Sequence, residues 1–117
     1  MILIVEDEAI SRRALQHLLR LNGYSSQAAG SAEEALRMTA EGLVADVALV
    51  DVNLPGMDGV EMVRELQRRN PSVRPVYMTA CERDDLPAGC ETQSMRYLRK
   101  PLQVAALLDV IASATLA

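Results

Sequence analysis

Asp51 closes the apolar run Val47-Ala48-Leu49-Val50 and stands directly before Val52-Asn53-Leu54-Pro55-Gly56-Met57-Asp58-Gly59. A carboxylate at the C-terminal end of a buried strand, ahead of a Pro-Gly turn and a helix start, occupies the position where open α/β sheets place their ligands and chemistry. Two other stretches supply partners of suitable type. Glu6-Asp7-Glu8 follows Ile2-Leu3-Ile4-Val5, and Lys100-Pro101 follows Tyr97-Leu98. An acceptor carboxylate, an acidic cluster and a lysine, each just past a strand end, are suited to holding a divalent cation and receiving a phosphoryl group. Mg²⁺ takes oxygen ligands, commonly one or two carboxylates beside phosphate and water. An acidic cluster alone repels a phosphoryl donor, and a bound cation inverts that sign. A lysine adds positive charge for the oxygens of a loose phosphoryl-transfer transition state.

The elements that must position these residues are legible as alternating apolar runs and helical periodicity. Residues 2–5 read as a buried strand. Ile10, Ala14, Leu18 and Leu21 repeat at near-helical spacing from Ala9 to Leu21, with Gly23 as a stop signal. Residues 24–28 form a weak strand. Ser31-Ala32-Glu33-Glu34 fits a capping box, with Ser31 as N-cap and Glu34 reaching back. The helix it opens carries Ala35, Leu36, Ala40 and Leu43. Residues 46–52 form the most apolar strand, and a helix runs from about Asp58 to Arg69, with Val60, Val63 and Leu66 on one face, before Asn70-Pro71 ends it. Residues 76–80 are a fourth strand and Tyr97-Leu98 belong to a fifth. A last helix over 102–114 turns Val104, Leu107, Leu108 and Ile111 inward. Strands alternating with helices give a parallel sheet covered on both faces. Five such units suit a flavodoxin-like doubly wound α/β fold of order 2-1-3-4-5 with five helices. In that order Glu6, Asp7, Asp51, Thr79 and Lys100 all map to the switch crevice. The fourth helix falls on 82–94, where Pro87 and Gly89 make it short or irregular.

Composition narrows the function classes. The 117 residues suit one domain, and the 50% hydrophobic content suits a proper core. With no Phe, no Trp and three Tyr, that core must be aliphatic. Twelve Lys and Arg against sixteen Asp and Glu give a formal charge of −4, which argues against sequence-independent nucleic-acid binding. Cys81 and Cys90 lack metal or redox spacing and read as free thiols in a cytoplasmic protein, Cys81 as a plain small side chain. No stretch has membrane-spanning length, and the start has no basic n-region of a signal peptide.

Glu6-Asp7, Asp51, Pro55 and Gly59, Thr79-Ala80 and Lys100-Pro101, in order and each at or just beyond a strand end, resemble the receiver domain of two-component response regulators, the CheY-like family. The resemblance covers nearly the whole chain and implies a single receiver domain over 1–117. It implies that Asp51 is the phosphoacceptor and that Glu6 and Asp7 hold Mg²⁺, with Asp51 and the Asn53 backbone carbonyl as further ligands. It implies that Thr79 contacts the phosphoryl group after transfer, that Lys100 pairs with it, and that Tyr97 is the switch aromatic. Such a domain is not an enzyme in the ordinary sense, although it promotes its own phosphotransfer and slow autodephosphorylation. The implied partners are a sensor histidine kinase or a histidine phosphotransfer protein. An output domain or a homodimer through the fourth helix, fifth strand and last helix is also implied. Departures are Glu6 where Asp is commoner, Gln93-Ser94 in place of a Gly-Ala pair, Leu102 in place of Phe, and Pro87. They leave the phosphorylation chemistry intact and bear on the output face.

Blander readings stand beside these. Glu8 suits a helix N-terminus through the dipole. His17 reads as a surface residue, and Arg12-Arg13 and Arg68-Arg69 as solvated helix faces. A flavodoxin-type cofactor protein would have to cradle a phosphate where Glu6-Asp7-Glu8 repels it. An aspartyl-phosphate phosphatase would want a second acid at the position of Asn53. A degenerate receiver that only binds partners would not need the full set of acceptor, acids and lysine.

Overall fold

The computed structural model describes residues 1–52, 54, 56–79, 96–100 and 102–116. The strands are β1 (Ile2–Val5), β2 (Ser26–Ala29), β3 (Val47–Asp51), β4 (Arg74–Thr79) and β5 (Arg96–Arg99). The helices are α1 (Ala9–Leu21), α2 (Ala32–Ala40), α3 (Gly59–Arg69) and α4 (Val104–Leu116). All strand pairs are parallel and the sheet order is β2-β1-β3-β4-β5, the order expected from the alternating pattern. The segment 82–94, where a fourth helix is expected, lies outside the described residues. Among the described residues no helix is long and apolar enough to cross a membrane.

Strand alternation explains the two cores. In β1 and β3, Leu3, Val5, Ala48 and Val50 face α2 and α3, where Ala32, Ala35, Val60, Val63 and Leu66 meet them. Ile2, Ile4, Val47 and Leu49 face the other way, onto Leu15 and Leu19 of α1 and Leu107 and Ile111 of α4. A sheet buried on both faces needs apolar residues at every position, which is why β1 and β3 read as continuous aliphatic runs. Helix starts follow local chemistry. Ser31 Oγ accepts from the Glu34 amide at 3.1 Å, and Glu34 reaches back to the Gly30 amide at 3.0 Å, one residue before the N-cap. Asp58 caps α3 by accepting from the Glu61 amide at 2.8 Å.

Two helix faces differ from the sequence pattern. Ile10, Ala14 and Leu21 lie exposed on α1, and the buried stripe is Leu15 and Leu19 with Leu18 partly covered. The helix carries apolar residues on adjacent positions, so two stripes about 100° apart fit the sequence, and contact with the sheet selects one. In the last helix Val104 is exposed and Leu108 only half-buried. Leu107, Ile111 and Ala114, spaced by four and three, make the seam.

The register carries each strand end to the site. Ala29, Val5, Val50, Tyr77 and Tyr97 form one continuous row across the sheet. The next residues of β1 and β3 are Glu6 and Asp51, which therefore leave the sheet side by side. The Lys100 amide donates to the Thr79 carbonyl at 2.7 Å and prolongs the β4–β5 pairing to the same edge.

Gly59 locks α3 onto that edge. Its amide donates to the Val52 carbonyl at 3.2 Å. A Cβ at this position would lie 2.4 Å from the Asp51 carbonyl oxygen and 2.9 Å from a Val50 methyl carbon. These neighbours are backbone and packed core, so they cannot swing aside. Gly59→Ala is expected to destabilise the domain by about 1–3 kcal/mol, as overpacking does, and to move the Asp51 and Val52 amide resonances. Urea unfolding and an amide correlation spectrum measure both, and wild-type values would show that the helix start has room to shift.

Candidate functional site

The described site is a buried carboxylate pair bridged by one ammonium. Glu6 and Asp51 are only 2% and 6% exposed. Lys100, at the end of β5, donates from Nζ to Asp51 Oδ2 at 2.7 Å and to Glu6 Oε2 and Oε1 at 3.3 and 3.4 Å. Asp7 is exposed at the mouth, and carboxylate oxygens of Glu6, Asp7 and Asp51 lie within 4.8 Å of one another. Thr79, 4% exposed, ends β4 beside them. Tyr97 is half-buried on β5 and stacks on Tyr77, its register partner, with ring centroids 5.6 Å apart and planes inclined by 28°. Asn53 lies outside the described residues.

Burial and the neighbouring charges together shift the two central groups. Burial is the largest influence on Glu6 and pushes its carboxyl up to about 7, helped by a hydrogen bond with Asp51 and opposed by the Lys100 charge. Burial pulls the Lys100 ammonium down, but its hydrogen bond and attraction to Asp51, together with Glu6, outweigh this and leave it raised. One ammonium does not balance the carboxylates around it. A donor set of three carboxylates, two buried and one at the mouth, fits a hard divalent cation such as Mg²⁺. Glu6, Asp7 and Asp51 are the residues that would hold it.

The geometry draws together Glu6, Asp7, Asp51 and Lys100, with Thr79 on the adjoining strand end and Tyr97 one row deeper in the sheet. It also brings in residues that periodicity passed over. Arg12 is half-buried and donates from Nη1 to the Glu6 carbonyl at 2.8 Å, so it is not a solvated helix face. Arg68 and Arg69, far from the site, are exposed as expected and both pair with Glu65, at 2.6 and 3.2 Å, while Arg69 also reaches the Leu36 carbonyl at 3.1 Å. Glu33 Oε1 accepts from the Met57 amide at 3.3 Å and so ties α2 to the loop after Asp51. Long-range contacts of this kind leave no periodic mark. For Arg12 the available signal is a cation in the first turn of a helix, where the dipole disfavours it.

A family model described as the response regulator receiver domain matches residues 2–112. The chain is 37% identical over 112 residues to the response regulator protein FleR of Pseudomonas aeruginosa, an alignment covering 95% of this chain and 24% of that protein. A response regulator receiver domain protein from Clostridium thermocellum has a TM-score of 0.87 at 27% identity, covering 97% of this chain and 92% of the other. The response regulator TrrA of Thermotoga maritima, solved in complex with Mg²⁺ and BeF, has a TM-score of 0.82 at 27% identity, covering 97% and 96%. The chain spans about a quarter to a half of the length of the curated relatives it matches.

A cation must displace the Glu6 proton below about pH 7. Divalent-cation affinity is therefore expected to rise as pH increases through 7 and to level off above it, with the step abolished in Glu6→Gln. Because the folded carboxyl titrates above its unfolded value of 4.5, the metal-free domain loses the Glu6 contribution to stability as pH rises through the folded value. Calorimetric titrations with Mg²⁺ at pH 6 and 8 check the first point. A step of equal size in Glu6→Gln would assign it to another group.

Proposed function

The chain belongs to the response regulator receiver domain family of two-component signalling, and from that premise we propose that Asp51 accepts a phosphoryl group from a phosphohistidine. The domain is a phosphorylation-based signalling switch, a phosphoacceptor and not an ordinary catalyst. In the proposed reaction an Asp51 carboxylate oxygen attacks phosphorus. An O–P bond forms as the N–P bond breaks, and the released imidazole keeps the electron pair and takes a proton from solvent. The observation that carries this reading is the Lys100 ammonium 2.7 Å from Asp51 Oδ2, with Glu6 and Asp7 alongside at the end of the sheet.

Each residue has a physical task in this reading. Lys100 already holds one Asp51 oxygen and follows the developing negative charge onto the phosphoryl oxygens. Glu6, Asp7 and Asp51, with the Asn53 carbonyl, are the proposed ligands of Mg²⁺, which when bound neutralises phosphoryl oxygens and lets an anionic donor approach. Thr79 offers a hydroxyl from the neighbouring strand end to the phosphoryl group once it has arrived. Thr79 and Lys100 are joined through the backbone bond between their strands, so movement of either is felt by β5. Tyr97 on β5 is the proposed reporter of that movement to the surface. Receiver domains of this family work with histidine kinases and phosphotransfer proteins. For this chain the proposal is a single receiver unit over 1–117 in the cytoplasm. Its donor is a sensor kinase or phosphotransfer protein. Its output is an attached domain or second protomer that meets β5, α4 and the 82–94 segment.

Incubation with acetyl phosphate and Mg²⁺ is expected to add one phosphoryl group, located on Asp51 by mass spectrometry and lost in Asp51→Asn. Labelling of Asp51→Asn at the wild-type rate would sink the assignment. Lys100→Ala is expected to retain Mg²⁺ binding but to lose most of its response to beryllofluoride, because allosteric couplings amount to only about 1–3 kcal/mol. Amide and ring resonances of Tyr97 report this, and wild-type shifts in Lys100→Ala would rule the lysine out as the transducer.

A further inference from the structure

Arg12 leaves the first turn of α1 and folds back beneath the loop that carries the acidic pair. Its Nη1 donates to the Glu6 carbonyl at 2.8 Å and to the Asp7 carbonyl at 3.3 Å. A nitrogen with two protons can serve both acceptors. The same end of the guanidinium also packs against the turn between β2 and α2. A Cβ at Gly30 would lie 3.1 Å from Nη1 and 3.6 Å from Cζ. That turn is itself fixed, since the Gly30 amide donates to Glu34 and the Glu34 amide to Ser31. The guanidinium therefore sits in a slot between the end of β1, the start of α1 and a braced turn.

This placement needs a compensating gain. A cation in the first helical turn opposes the helix dipole, and no acidic side chain stands in the first turn of α1 to offset it. The Glu8 N-cap makes no side-chain cap hydrogen bond. A long side chain also loses rotamer freedom when held in a slot. Charge-assisted hydrogen bonds to two successive carbonyls supply the gain, and those carbonyls belong to the two residues whose carboxylates join Asp51 in the cluster.

We propose that Arg12 is a positioning residue for the cation site: it fixes the Glu6 and Asp7 peptides so that both carboxylates converge on Asp51. The inference rests on the reading of Glu6, Asp7 and Asp51 as cation ligands. It makes a prediction opposite in sign to simple electrostatics. Removing a nearby cation lowers repulsion, so by charge alone Arg12→Ala tightens Mg²⁺ binding. Loss of positioning weakens it, and partners that orient metal ligands typically account for about 10–100-fold in affinity.

Calorimetric titration of the metal-free protein with Mg²⁺ alone, at a temperature where every variant is folded, separates the two. Arg12→Ala is expected to weaken Mg²⁺ by about tenfold, the lower end of that range. Arg12→Lys keeps the charge and a nitrogen with several protons but not the length or the planar guanidinium that fills the slot, and is expected to fall between Arg12→Ala and wild type. The exposed neighbour Arg13 serves as control, with Arg13→Ala close to wild type. In the metal-free state, the amide nitrogens of Asp7 and Glu8, which follow the two bound carbonyls, are expected to shift in Arg12→Ala and not in Arg13→Ala. Gly30→Ala crowds the guanidinium without removing it and is expected to weaken Mg²⁺ by a smaller factor. Unchanged or tighter binding by folded Arg12→Ala overturns the proposal, as does equal weakening by Arg13→Ala. Should Arg12→Ala not fold, wild-type affinity in Gly30→Ala overturns it. A wild-type protein that does not bind Mg²⁺ overturns the cation-site reading and this inference with it. Normal wild-type binding with an indifferent Arg12 overturns this inference alone.

Discussion

Two buried carboxylates side by side at the end of a sheet would push each other apart or pick up a proton, and the Lys100 ammonium between Glu6 and Asp51 is what lets them stand together. One positive charge offsets only part of the local negative charge, and burial, with the help of Asp51, raises the Glu6 carboxyl in spite of it. The site is thus left electrically incomplete in a specific direction. It is suited to further positive charge, and it holds Lys100 on Asp51.

Sheet register makes this arrangement possible without long side-chain reach. Glu6 and Asp51 are neighbours because Val5 pairs with Val50, and Lys100 arrives because β5 continues alongside β4 by one further backbone bond. The aliphatic faces of β1 and β3 are sealed by helices on both sides, so the charged groups meet at the C-terminal ends of the strands, where the chain leaves the sheet toward solvent. Gly59 then fits α3 against the Asp51 carbonyl closely enough that even a methyl group has no place.

Much of this was readable in the chain because local rules and the global fold agree. Continuous aliphatic runs marked β1 and β3, Ser31 and Asp58 marked helix starts, and the residues just past strand ends marked the crevice. The strand order followed from alternation of element types. What escaped was information carried by contacts distant in sequence. The buried stripe of α1 is Leu15 and Leu19 and not the one containing Ile10 and Leu21, since a helix rich in apolar residues has two candidate faces and only the sheet selects between them. Val104 is the first residue of α4 and stays exposed, outside the seam of Leu107, Ile111 and Ala114. Arg12 looked like half of an exposed arginine pair, although its reach to the Glu6 carbonyl depends on a loop conformation that no spacing encodes. Asn53 and the 82–94 segment lie outside the described residues.

The tyrosine stack has a practical side. The chain has no Trp and no Phe, so its near-ultraviolet absorption comes almost entirely from three tyrosines. Two of them, Tyr77 and Tyr97, lie ring against ring across β4 and β5, in the row immediately beneath the acidic cluster. Their circular dichroism in that region depends on the angle between the rings, and their emission on how closely they are held. Any reorientation of Tyr97 therefore changes the optical spectrum of the whole protein, to which Tyr24 is the one other tyrosine contributor. The domain carries its own built-in chromophore pair, and its conformational state can be followed in unlabelled protein with an ordinary spectropolarimeter.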